Sequence, residues 1–303
     1  DKVLKKGGIL ASNTSYLDIN ELASITSRPQ DVIGLHFFSP ANIMRLLEIV
    51  VPNKVANDVV ATGFYLTKLM KKIPVRARVC DGFIGNRILN KYGDCAYFMM
   101  EDGTTPYEID KAIFEFGYPM GPFQMFDLAG GDIGWAMRKR LEPMRDKNER
   151  YVHIPDKLCE KGWFGQKTGR GFYRYDQGNR RGNEDPEVLE IINLERQKKG
   201  IIPIKFSQEE IIRRYMAAMI NEAADVVHEK IALRPSDVDV TKLYGYGFPR
   251  YRGGPMKYAD SYGLDKILDD IREFEKEDSV FWKPSSLIIE LVRNGNNFDS
   301  LNK

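Results

Sequence analysis

A stretch in the middle of this 303-residue chain returns near its end. Pro106-Tyr-Glu-Ile-Asp110 recurs as Pro235-Ser-Asp-Val-Asp239, displaced by 129 positions. Gly117-Tyr-Pro119 recurs as Gly247-Phe-Pro249, displaced by 130, and Gly121-Pro122, Asp127 and Gly130 recur as Gly254-Pro255, Asp260 and Gly263, displaced by 133. Matches in order at nearly constant spacing mark one supersecondary unit used twice. The slip in spacing points to Arg250-Tyr-Arg252 as the inserted piece, because a loop absorbs added residues at small entropic cost. Prolines that open helices and Gly-Pro breaks between apolar runs make the unit helical. Two copies can pack as an intrachain pseudo-dimer, each covering an apolar face that one alone would expose.

Ahead of the repeat the pattern differs. Strand-like and helix-like runs alternate over residues 8–12, 19–25, 32–38, 46–51, 57–70 and 74–80, which suggests the parallel-sheet α/β class. In 57–70, Val60, Gly63, Phe64, Leu66 and Met70 form a stripe expected to face the sheet. The polar run 176–185 reads as an exposed linker, Pro186–Lys199 as an amphipathic connector, and a second helical region starts at Gln208. The expected organisation is an α/β part over 1–80, a helical module over 81–176, a linker with connector helix over 177–207, and a second helical module over 208–303.

Composition removes several function classes. Lys and Arg number 45 against 43 Asp and Glu, so the net charge of +2 gives no global field for nucleic acid. Cys80, Cys95 and Cys159 are widely spaced and form no CxxC pair, which argues against a disulfide framework or structural zinc and for a reducing interior. The apolar runs fall far short of the roughly 18 to 20 residues that span a bilayer, so no membrane span is expected. The opening DKVLKKGGIL has no signal-peptide core and leads at once into a strand-like run, so the chain is expected to begin mid-domain. There is no HExxH, calcium loop, GxxxxGK[ST], or GxGxxG opening a strand–turn–helix unit. No metal is expected.

Among three histidines, His153 lies in a polar stretch and His228 ends a helical run, both ordinary surface settings. His36 is different, because it closes the apolar run Val32-Ile-Gly-Leu35, and ligand crevices in open α/β sheets lie outside strand carboxyl ends. A histidine there can equally be a packing residue, so a partner decides the matter. Glu48 interrupts the apolar Leu46-Leu-Glu-Ile-Val-Val51, where a carboxylate is costly unless paired. If residues 39–45 turn the chain back, Glu48 meets the imidazole, fixes its tautomer and stabilises its imidazolium form, as a general base requires. Ser12-Asn-Thr-Ser15 follows a strand-like run and can either offer hydroxyl and amide groups to a ligand or cap the next helix, with Ser15 and Asp18 resembling a capping box. Asn86 is either a polar contact between domains or a helix-face residue.

Together the segments SNTS, GLHFFSPANIMRLLEIV, DGFIGNRIL, GYPMGPFQMFDLAG and GWFGQKTGRGFYRY resemble the L-3-hydroxyacyl-CoA dehydrogenase family, over residues 7–296. The later YGYGFPRYRGGPMKYAD is similar to the dehydrogenase part of multifunctional fatty-acid β-oxidation enzymes, in which an enoyl-CoA hydratase/isomerase domain comes first. The resemblance implies the C-terminal portion of a Rossmann-type NAD-binding domain followed by two repeated helical modules. It implies hydride transfer from C3 of an L-3-hydroxyacyl-CoA to NAD+, with His36 taking the hydroxyl proton and Glu48 orienting it. Ser15 and Asn86 would bond the reacting oxygen or nearby acyl groups, Asn13 would lie near the nicotinamide ribose, and Ser39 on the nicotinamide side. At Ser39 monofunctional relatives commonly carry Asn, and the HFFSP form fits the multifunctional branch. The family's glycine-rich pyrophosphate turn lies outside this sequence, so these residues alone are expected to bind NAD poorly. Implied partners are an acyl-CoA substrate, an upstream hydratase domain and a thiolase subunit. A short-chain 3-hydroxybutyryl-CoA dehydrogenase and a non-catalytic helical assembly module stand as alternatives. The ending Leu301-Asn-Lys303 is not an SKL address, and a bacterial cytoplasm is the expected location.

Overall fold

The structure, a computed structural model, describes residues 1–176, 179 and 181–303. The part of the expected linker at 177, 178 and 180 lies outside them. The chain divides into two compact units, one formed by Asp1–Lys91, Met219–Asp269 and Pro284–Lys303, the other by Tyr92–Ala218 and Asp270–Lys283.

In the first unit, β1 (Leu10–Ser12), β2 (Val32–Phe37), β3 (Leu46–Val51) and β4 (Ile73–Arg78) form one sheet in chain order. β1 and β2 run parallel, joined through helix α1 (Ile19–Ser24), and β3 and β4 run parallel, joined through α2 (Asn57–Leu69). β2 and β3 are antiparallel, which departs from the wholly parallel sheet that the alternation alone suggests. Only eight residues separate these strands, and a parallel crossover needs a dozen or more.

Side chains alternate across the two faces of a strand. Ile33 and Leu35 of β2, Leu47, Ile49 and Val51 of β3, and Val59 of α2 form one buried cluster, with Phe37, Val60 and Phe64 packed against it. The opposite face carries Gly34, His36, Leu46, Glu48 and Val50. Burying each aliphatic side chain contributes about 1.5–3 kcal/mol, so the alternation pins the register of β2 on β3. α2 meets the sheet through Val59, Gly63 and Thr67, while Leu66 and Met70 remain exposed. Of the expected stripe, Val60, Gly63 and Phe64 meet the sheet's buried cluster, while Leu66 and Met70 lie outside it. Gly63 lets the helix approach: a Cβ there would lie 3.2 Å from Ile33 Cδ1.

The sequence repeat is a repeated piece of hydrogen bonding. Asp110 accepts from the Phe123 and Gln124 amides, both at 2.9 Å, at the start of the helix Pro122–Ala129. Asp239 accepts from Met256 and Lys257 amides at 2.8 and 3.3 Å at the start of the helix Pro255–Tyr262. These carboxylates satisfy the first amides of a helix, which have no intrahelical acceptor. Gly121 and Gly254 leave no room for a Cβ against Asp110 and Asp239. Asp127 likewise accepts from Phe172 and Tyr173 amides at 3.0 and 2.9 Å, and Asp260 from Phe298 and Asp299 amides, both at 2.9 Å. Arg250–Arg252 forms a single 3-10 turn.

Pro186–Lys199 and Gln208–His228 are helices. The polar run before them is less open than expected. Tyr173–Arg174 pairs antiparallel with Asn183–Glu184, and buried Asp185 caps Glu187 N while holding Arg170 at 2.7 Å. Among the described residues no helix is long and apolar enough to cross a membrane.

Candidate active site

The antiparallel turn-back sets the site. In the β2/β3 register His36 stands directly opposite Glu48, and directly opposed residues project to the same face. His36 Nδ1 lies 2.6 Å from Glu48 Oε2, with both residues buried. The other oxygen, Oε1, accepts from the Gly85 amide at 2.9 Å. That amide opens helix α3 (Gly85–Asp102), where an amide without an intrahelical acceptor is available and negative charge is favoured. Both carboxylate oxygens thus face donors, which places the ring hydrogen on Nδ1 and the lone pair on Nε2. Ser15 Oγ lies 3.1 Å from Nε2 and can donate to it.

Apolar rings close around the imidazole. Phe38 and Phe83 lie 4.6 and 5.5 Å from it, centroid to centroid. Phe83 follows Gly82, and both residues have left-handed backbone, φ 51° and 76°. A left-handed non-glycine residue costs about 1–2 kcal/mol, and such strain collects at functional sites. Here it turns the Phe83 ring toward His36 and delivers the Gly85 amide to Glu48. Arg87 anchors the same turn: Nε meets Glu222 at 2.6 Å and the two terminal nitrogens meet Glu229 at 2.5 and 2.8 Å, with the guanidinium pushed above its ordinary range chiefly by the Glu229 bond.

The remaining sequence-derived residues fall as follows. Asp18, not Ser15, caps α1, its carboxylate accepting from Asn20 N at 2.7 Å, while Thr14 Oγ1 accepts from Tyr16 and Leu17 amides. Ser15 is thereby released toward His36. Asn13 Oδ1 accepts from the Phe37 amide at 2.9 Å, tying the ends of β1 and β2 together. Asn86, half-buried, sits one residue past Gly85 and takes the Tyr246 hydroxyl on Oδ1 at 2.7 Å. Ser39 is exposed, before the cis bond to Pro40. His153 packs on Tyr151 at 4.8 Å and His228 ends its helix exposed.

Two contributors escaped the sequence reading. Lys242 is fully buried on the helix Pro235–Gly245, its ammonium 3.7 Å from the centre of the Tyr246 ring. Burial holds it well below the ordinary lysine range, with nearby Glu48 opposing. Tyr246 itself packs on Phe38 at 5.5 Å. The one local signal was the repeated Gly-aromatic-Pro element that begins one residue after Tyr246. Among the described residues no group of three or more His, Cys, Asp or Glu could hold a metal ion.

Such a constellation can accept a proton at Nε2 from a hydroxyl and stabilise the resulting imidazolium. The 3-hydroxyacyl-CoA dehydrogenase C-terminal domain family matches residues 82–175 and 211–299, and the 3-hydroxyacyl-CoA dehydrogenase NAD binding domain family matches 1–80. The peroxisomal bifunctional enzyme of Danio rerio is 43% identical over 308 residues, covering 97% of this chain and 43% of that protein, and the Homo sapiens enzyme of the same name gives the same figures. The glyoxysomal fatty acid beta-oxidation multifunctional protein MFP-a of Brassica napus is 39% identical over 287 residues, covering 93% and 39%. The chain spans about two-fifths of the length of these relatives. The dehydrogenase part of multifunctional enzyme 1 from C. elegans superposes with TM-score 0.69 at 29% identity, covering 95% of this chain and 66% of that one. A 3-hydroxybutyryl-CoA dehydrogenase from Escherichia coli K12 superposes at 0.78 with 23% identity, covering 95% and 76%, a likeness of fold. The expected bacterial cytoplasmic location is overturned, because these curated relatives are named peroxisomal or glyoxysomal. Cysteine spacing reports only redox setting, and a receptor-read terminal address is not a property of the fold.

Proposed function

Because the chain belongs to the 3-hydroxyacyl-CoA dehydrogenase family, we propose that it carries the residues that oxidise the 3-hydroxyl of an L-3-hydroxyacyl-CoA. The observation that supports this most is the opposition of His36 and Glu48 in the β2/β3 register, with a hydroxyl already seated at Nε2. NAD, when bound, supplies the acceptor for the hydride that leaves C3. The residues present fit its nicotinamide end: Asn13 has its oxygen committed to the Phe37 amide and offers its N–H groups to a ribose, at the carboxyl end of β1. No GxGxxG is encoded in this sequence, so a pyrophosphate cradle of that kind is not among these residues.

His36 Nε2 receives the 3-hydroxyl proton as the carbonyl forms, and the imidazolium so created is held by Glu48. Ser15 and Asn86 orient the reacting oxygen, and Phe38 and Phe83 exclude water from the ring. Reversal returns the proton from Nε2 to the carbonyl oxygen. The relatives' bifunctional and multifunctional names favour a second activity in the same gene product, and the sequence resemblance makes enoyl-CoA hydration the one we propose.

The test is His36→Gln in the complete gene product. Acyl-CoA-dependent NADH formation falls at least about a hundredfold, with NADH binding and thermal midpoint preserved. Near-parental turnover removes His36 from this role.

A further inference from the structure

The second helical module lends a side chain to the site, and it does so through Asn86. Tyr246 follows the helix Pro235–Gly245, more than 150 residues along the chain from Asn86, and donates its hydroxyl to Asn86 Oδ1 at 2.7 Å. An amide has one acceptor end and one donor end, and the hydrogen-bond network decides which way it points. With Oδ1 taken by Tyr246, the N–H groups are the end that Asn86 can present to an incoming oxygen. That is the polarity a forming carbonyl needs, since negative charge collects on the oxygen as the hydride is returned in the reverse direction.

The tyrosine is firmly placed. Its ring stacks edgewise on Phe38, which also flanks His36, and lies 3.7 Å from the buried Lys242 ammonium. Gly85 leaves no space for a Cβ against the Tyr246 hydroxyl, and Gly245 likewise brings the helix end onto Leu46 of β3. Two glycines without side chains are thus what allow the hydroxyl to reach the start of α3.

We propose that Tyr246 is a positioning residue that sets the orientation of the Asn86 amide for the reaction. This rests on the function proposed above, in which Asn86 contacts the reacting oxygen. Tyr246 touches no reacting atom. It acts by keeping the wrong end of the amide away from the oxygen.

The experiment is a double-mutant cycle in the complete gene product, read by steady-state kinetics with saturating NAD. Tyr246→Phe keeps the ring and its packing and removes only the hydroxyl. It is expected to lower kcat about tenfold while KM for acyl-CoA and the thermal midpoint stay near parental values, because the lost interaction matters in the transition state. In an Asn86→Ala background the same change is expected to have no further effect, since the residue it orients is gone. An unchanged kcat for Tyr246→Phe overturns the proposal, and so does an effect that simply multiplies that of Asn86→Ala, which a general structural role would give. If Asn86→Ala and His36→Gln both retain turnover, the functional reading itself has failed and the proposal falls with it. If those two lose turnover and Tyr246→Phe does not, only the positioning role is lost.

Discussion

Glu48→Gln separates a carboxylate from its own shape. In the structure His36 Nδ1–H and the Gly85 amide each point at one oxygen, at 2.6 and 2.9 Å. Glutamine has one oxygen and one NH2. If its oxygen stays on Gly85, the NH2 faces Nδ1 and the ring must carry its hydrogen on Nε2, where it cannot accept a proton from a hydroxyl. If its oxygen turns to Nδ1, two N–H groups confront each other at Gly85, and a buried donor is left unsatisfied at about 1–3 kcal/mol. Either way the imidazolium loses its counter-charge. General-base catalysis of this kind is worth about 10²–10⁴ in rate, or roughly 3–5 kcal/mol of barrier. The expected result is a kcat lowered by about 10²–10⁴, with NADH affinity within about threefold of the parent, because the nicotinamide contacts are elsewhere. Stopped-flow NADH absorbance measures the rate, and circular dichroism checks that the fold survives. A Glu48→Gln variant with parental kcat would refute the reasoning.

Three further outcomes are expected. Gly34→Ala sets a Cβ 2.7 Å from Val50 Cβ, so urea denaturation should show a loss of about 1–3 kcal/mol from overpacking, and unchanged stability would contradict the β2/β3 register. Ser15→Ala removes the hydroxyl at Nε2 and should reduce kcat several-fold, about 1 kcal/mol, without moving the thermal midpoint; full activity would take Ser15 out of the site. Burial raises the Asp110 carboxyl to about 7, against backbone bonds from Phe123 and Gln124 that lower it. With the folded value above the unfolded value of about 3.9, its contribution to stability is complete below the unfolded value and lost as pH rises through about 7. Asp110→Asn should therefore flatten the dependence of the thermal midpoint on pH across that window, and an equally steep profile would refute the assignment.

What could be read in the sequence was what short-range pattern encodes. His36 and Glu48 announced themselves as polar residues inside apolar runs, and the eight intervening residues allowed a turn-back that set them face to face. The repeated aspartates were visible as aligned letters, and the structure shows each pair accepting from two consecutive backbone amides, with Asp110 and Asp239 both capping a helix start. Ser15 was undecidable locally, because whether it capped α1 depended on Asp18 taking that place first. The stripe on α2 was legible at Val60, Gly63 and Phe64 but not at Leu66 and Met70, because periodicity fixes spacing and not how far the neighbouring row Val59, Gly63 and Thr67 takes over the sheet contact. Tyr246 and Lys242 were out of reach. Their role arises from a contact between segments more than 150 residues apart, which no window of sequence contains.

Proton abstraction by the His36–Glu48 pair depends on which ring nitrogen of His36 carries the hydrogen. A long-range ¹H–¹⁵N correlation spectrum of ¹⁵N-histidine-labelled protein at mildly alkaline pH, with His36 assigned by its loss in His36→Gln, reads this without any turnover. The expected pattern is the tautomer protonated at Nδ1, with Nε2 bearing the lone pair, collapsing in Glu48→Gln toward protonation at Nε2 or a mixture of the two. A His36 ring protonated at Nε2 in the parent protein, or one indifferent to Glu48, would contradict it.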